Sequence, residues 1–95
     1  VRIEWLAKAT EDLDAIVDYI SRDRPNAARA VLGRIQSRIA LLADQPLLGR
    51  LGRLPETHEL VITRTPYIVA YRVTPERIVI LSLVHGARRW PEGFS

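Results

Sequence analysis

Residues 67–84 read YIVAYRVTPERIVILSLV, and the reading of this stretch decides the fold. Thr74, Pro75 and Glu76 supply turn chemistry between two apolar runs, YIVAYRV (67–73) and RIVILSLV (77–84). Both runs are rich in β-branched and aromatic residues, which suit a pleated, packed surface. Both are apolar at successive positions, so each predicts a strand covered on its two faces and central in a sheet. Two strands alone are marginal in water. The rest of the chain has to supply neighbours and cover.

On the N-terminal side, Arg64-Thr65-Pro66 is a further turn, and HELVI (58–62) before it reads as a third strand. The three runs then form an antiparallel meander. His58, alternating with Leu60 and Ile62, is expected to be exposed and without a special role. Residues 46–55, PLLGRLGRLP, are bounded by prolines and read as a connector whose glycines take unusual backbone angles. GRLGR lacks the spacing of a phosphate-binding loop and is not followed by a helical pattern.

Further back the period changes. Leu13, Ile16, Val17 and Ile20 recur as one helical stripe, with Glu11, Asp12 and Asp14 in the early turns where negative charge suits the helix dipole. Pro25 fits the first position of a second helix. That helix has Ala28, Val31, Leu32, Ile35, Ile39 and Leu42 as its stripe and Arg29, Arg34 and Arg38 towards solvent, and it ends near Asp44. The short gap between the two makes an antiparallel hairpin. RIEWL (2–6) alternates as a short strand with Ile3 and Trp5 on one face; its place in the sheet is not legible. The expected fold is α+β, in the order β-α-α-β-β-β. A helical hairpin lies on a mostly antiparallel four-stranded sheet, in one domain over residues 1–95.

Composition narrows the function. Cysteine is absent, which excludes thiolate catalysis, disulfides and cysteine-ligated zinc. Two distant histidines, His58 and His85, without a carboxylate cluster beside them do not make a metal site, and nothing calls for a cofactor. No run approaches the ~20 apolar residues of a membrane span. The opening VRIEWLAKATED has acids where a signal peptide has its apolar core. A soluble, cytoplasmic protein is expected. The net charge is +3, carried by thirteen Arg and one Lys. Arginine-rich coding and bidentate pairing with carboxylate or phosphate both account for this bias. A charge of +3 is low for a dedicated nucleic-acid binder and suits an acidic protein partner.

The ordered strings ATEDLDAIVDYI (9–20), PNAARAVLGRI (25–35), GRLGRLPETHELVI (49–62), TPYIVAYRV (65–73) and ILSLVHGARRWP (80–91) cover nearly the whole chain. Together they resemble the RelE/ParE superfamily of toxins from bacterial type II toxin–antitoxin systems, and most of all its ParE, plasmid-stabilisation branch. The resemblance implies a small toxin held inactive in a hetero-oligomer by a cognate acidic antitoxin, whose extended tail wraps it. It also implies a target: DNA gyrase for ParE-like members, the ribosome and its mRNA for RelE-like endoribonucleases.

Metal-independent RNA cleavage needs a base, an acid and cations for the phosphorane. RelE-like enzymes carry an arginine one residue into the string that here reads YIVAY, where this chain has Ile68. Their lysines before that strand have no match in residues 57–63, and their C-terminal tyrosine is missing from WPEGFS. Arg88 falls where they place a catalytic arginine. His85 has the intrinsic pKa for a general base, and a related ribosome-dependent branch uses a C-terminal histidine; a strand-ending role with local hydrogen bonds is the other reading. His85 and Arg88 are thus the catalytic candidates if the chain is a ribonuclease. Arg72, Arg88, Arg89 and Trp90 are expected to meet a partner, with Trp90 alternatively folding over the sheet edge. Tyr67 and Tyr71, on one face of their strand, are expected to serve sheet packing.

Overall fold

The central ribbon forms as its composition dictates. The structure, a computed structural model, describes residues 1–86. In it the two runs become β4 (Tyr67–Val73) and β5 (Arg77–His85), paired antiparallel and buried along most of their length. Before them come β1 (Arg2–Trp5), α1 (Ala7–Ser21), α2 (Pro25–Ala40), a 3-10 turn at Leu41–Ala43, β2 (Arg50–Leu51) and β3 (His58–Val61). The sheet order is β1-β5-β4-β3-β2.

The class and element order agree with the sequence reading, but the sheet has five strands where four were expected. The extra strand, β2, lies inside the stretch read as a plain connector. Two residues carry no detectable period. They become a strand only because β3 offers them an edge, with Arg50 opposite Glu59 and Leu51 opposite His58. β1 joins the other side of the sheet and runs parallel to β5, Ile3 opposite Ile78 and Trp5 opposite Ile80.

Both helices lie on one face. Ala9 of α1, Ile35 and Ile39 of α2, and Leu42 close over Leu60, Ile62, Val69, Tyr71, Ile78, Ile80 and Leu83, with Ile3, Trp5, Leu13, Ile16 and Val31 packed around them. Arg34 and Arg38 are half-buried, not turned freely to solvent as expected, and Arg38 Nε has no hydrogen-bond partner among the described residues. Helix α1 begins early enough that its first turn holds no acid. Asp12 therefore acts through tertiary contacts and not through the helix terminus.

The excursion from Asp44 to Thr57 is gripped from both faces of the sheet. On the helix side, the buried Tyr71 hydroxyl accepts the Gly49 N–H (2.8 Å) and donates to the Pro46 carbonyl (2.9 Å). On the opposite side, the buried Glu59 carboxylate accepts Arg50 Nη2 and the Arg53 backbone N–H, each at 3.1 Å. The glycines serve close approach, which corrects the expectation of unusual angles. A Cβ on Gly49 would meet the Glu59 carbonyl at 2.7 Å, and one on Gly52 would collide with Thr57 Oγ1. The positive φ values fall on Glu56 (64°) and Arg64 (65°) instead, each in a turn.

Candidate functional site

Strand β5 does not run evenly past β4. Its register shifts between the pairs Ala70↔Ser82 and Tyr71↔Ile80, leaving Leu81 as the extra residue of a bulge. The bulge lets β5 bond to α1. Asp12 accepts the Ser82 hydroxyl at 2.7 Å and the Leu83 N–H at 3.0 Å, while Lys8 Nζ reaches both Asp12 (3.0 Å) and Ser82 Oγ (3.1 Å). A fully buried serine and a strand N–H interrupted by the bulge are thereby satisfied.

Lys8 and Asp12 of this lock also line a groove of about 770 Å³. Ile16, Tyr19 and Ile20 of α1 line one side; Leu83 to His85 and the turn from Arg64 to Tyr67 line the other. Lys8, Arg24 and Arg64 stand around it. Tyr19 is 69% exposed, unusual for so large a ring. A mostly apolar groove flanked by three cations and one carboxylate, Asp12, has the chemistry to take an amphipathic segment.

His85 closes the groove at the end of β5. It lies opposite Tyr67 in the ladder, ring edge to ring face, with centroids 5.6 Å apart. Gly86 N–H then bonds the Pro66 carbonyl at 2.6 Å, fixing the exit of the chain. Arg88, Arg89 and Trp90, the other residues expected to act from HGARRWP, lie outside the described residues. Arg72 is on β4 in line with Val79 of β5, on the sheet face turned away from the helices. Its Nε is buried and without a hydrogen-bond partner among the described residues. The sheet therefore separates Arg72 from His85 and does not bring them to one centre.

His58 corrects its expectation. A period of two puts it on the same face as Leu60 and Ile62, and it is half-buried with its ring stacked on Tyr71 (centroids 5.4 Å, planes at 25°). Burial holds the Tyr71 hydroxyl above its ordinary pKa, partly offset by the bond from Gly49. Sequence reasoning missed the Asp12–Ser82–Lys8 lock. Its signal, an acid and a base four residues apart on a helix, looks the same as an ordinary exposed ion pair.

The chain matches the family model described as the ParE toxin of the type II toxin–antitoxin system, parDE, over residues 3–90. It is 41% identical over 91 residues to the provisionally named toxin Y4kP of Sinorhizobium fredii, covering 96% of this chain and 94% of that one. It is 34% identical over 87 residues to toxin RelE2 of Caulobacter vibrioides, covering 92% and 97%. Among solved structures it superposes on a chain of the chromosomal ParDE system of P. aeruginosa with a TM-score of 0.81 and 27% identity, covering 90% and 95%. Fold and sequence kinship agree: the chain belongs to the ParE toxin family of type II toxin–antitoxin systems.

Proposed function

We propose that this toxin acts in the cytoplasm by docking on DNA gyrase, and that an acidic antitoxin segment seated in the groove between α1 and the ends of β4 and β5 neutralises it. The observation that carries the docking reading is the surroundings of Ile68. Where a RelE-like ribonuclease has an arginine, this residue is 7% exposed on the face away from the helices. Its row neighbours are Val61 and Val84. His85 lines the groove on the opposite face, packed against Tyr67. A base and a cation that must meet one phosphate are not well served by a sheet standing between them. The groove supports the antitoxin reading through its apolar floor and the cations Lys8, Arg24 and Arg64.

The alternative, ribosome-dependent mRNA cleavage, draws on the likeness to a relative named RelE2 and on Arg88. Purified protein added separately to a gyrase supercoiling reaction and to a translation extract decides between them. Inhibited supercoiling with intact transcripts is expected. Transcripts cut on the ribosome, with supercoiling untouched, would make the chain a ribonuclease. Arg88→Ala adds a second readout. Under the docking reading it weakens a partner complex by a few-fold to about a hundredfold, whereas a catalytic arginine would lower a cleavage rate and leave partner affinity unchanged.

A further inference from the structure

Strand β1 is the outer strand of the sheet on the β5 side, and among the described residues no strand pairs with its other edge. Its register sets which backbone groups are left there. Leu6 donates its N–H to the Ile80 carbonyl at 3.0 Å. Backbone groups alternate sides along an extended strand, so Glu4 and Arg2 also turn theirs to β5, while Ile3 and Trp5 turn both N–H and carbonyl outward. Side chains alternate as well. Ile3 and Trp5 face the helices, where with Leu13 and Ile39 they line a depression of about 400 Å³. Arg2 and Glu4 face the other way, with side chains 74% and 38% exposed. Arg2 stands opposite Arg77 in the ladder, and one carboxylate, Glu4, bonds both, at 2.7 and 3.3 Å. Such an edge offers a row of unpaired backbone groups to a further strand.

We propose that the occupant of this edge is β1 of a second copy of the chain, paired antiparallel about a two-fold axis at Ile3. The sequence VRIEW (1–5) is self-complementary in that register and in neither neighbouring one. Ile3 meets Ile3 of the second copy, and because its N–H and carbonyl both point outward, the two exchange a reciprocal pair of hydrogen bonds. Arg2 of each copy falls opposite Glu4 of the other, at the non-hydrogen-bonded position where facing side chains stand closest. Val1, 60% exposed, falls opposite Trp5 and beside the apolar depression. Moving the axis one residue either way sets Arg2 against Arg2 or Glu4 against Glu4. It also centres the pairing on a residue whose backbone groups β5 already uses. An isologous contact requires this kind of self-complementarity. Each Arg2–Arg77 juxtaposition gains a carboxylate beside it. A strand rich in carboxylates is a poorer occupant, because Glu4 repels it. The junction is short, in the class of small transient interfaces, so the dimer is expected at micromolar concentrations and above.

The test uses the full chain alone, so its outcome is independent of the gyrase and antitoxin readings. Sedimentation equilibrium from about 1 to about 300 μM is expected to show a monomer–dimer equilibrium. Amide exchange followed by NMR should slow at Ile3 and Trp5 as concentration rises, with Glu4, already bonded within the ladder, unchanged. Arg2→Glu and Glu4→Arg should each weaken self-association about tenfold. Mixed in equal amounts, these two variants should associate with each other, because opposite charges again stand at every facing pair. Circular dichroism confirms that each variant is folded. A chain that stays monomeric throughout overturns the proposal. So does self-association that Arg2→Glu leaves unchanged, or a dimer whose Ile3 and Trp5 amides exchange at the monomer rate; both mean another surface. A mixture that associates no better than either variant alone overturns the Ile3-centred register and the proposal with it.

Discussion

Replacing the Tyr71 hydroxyl by hydrogen removes two bonds at once, and both groups left behind are main chain: the Gly49 N–H and the Pro46 carbonyl. Neither has an easy substitute, because Gly49 is pressed against Glu59 and Tyr71 with no room for a side chain. Tyr71→Phe is therefore expected to cost about 1–3 kcal/mol, read as a lower urea midpoint at constant slope. The same hydroxyl makes stability depend on pH. Its folded pKa lies above the unfolded value of about 10, so the fold favours the protonated phenol. That contribution is complete below pH ~10 and is lost as pH rises through the folded pKa. Wild type should lose stability more steeply than Tyr71→Phe above pH ~10, and the two should run parallel between pH 7 and 9. Parallel curves at high pH as well would remove Tyr71 as the cause.

Elements are joined here by polar groups at irregular places. Helix α1 is held to β5 where the strand bulges, through Asp12, Ser82 and the Leu83 N–H. Asp12→Ala would leave a buried hydroxyl and a strand N–H without an acceptor, at a cost of about 1–3 kcal/mol. Lys8→Met should cost less than about 1 kcal/mol, since the lysine side chain is 51% exposed and its ion pair is screened. Chemical denaturation of the two variants measures the difference; equal costs would show that the ion pair and not the bulge acceptor is what matters.

At the scale of the molecule, the sheet is finished by its two least conspicuous strands. β1 comes from the far end of the chain to cover the free edge of β5 in parallel, and it brings Ile3 and Trp5 to the core. A chain beginning at Leu6 would lose that ladder and that packing together and expose the edge of the longest strand. For a domain of this size, with stability on the order of 5–10 kcal/mol, the loss is expected to be severe. Far-UV circular dichroism and light scattering should show partial unfolding and association. A truncated chain that stays monomeric with a native spectrum would show β1 to be dispensable. The sheet keeps the groove and His85 on the helix side and Arg72 on the other.

Local period and turn chemistry were enough for the sequence to determine the two helices, the β3–β4–β5 meander, the central place of β4 and β5 and the Ile3–Trp5 face. Each of these depends on residues close in the chain. Tertiary structure alone decided the parallel docking of β1, the two-residue β2, the reason for Gly49 and Gly52, the stacking of His58 on Tyr71 and the separation of Arg72 from His85. Those depend on what arrives from elsewhere: an edge to pair with, a carbonyl too near for a Cβ, a bulge that frees an N–H for Asp12. A side chain's type sets which bonds it can make, but only the assembled sheet sets which partner stands within reach.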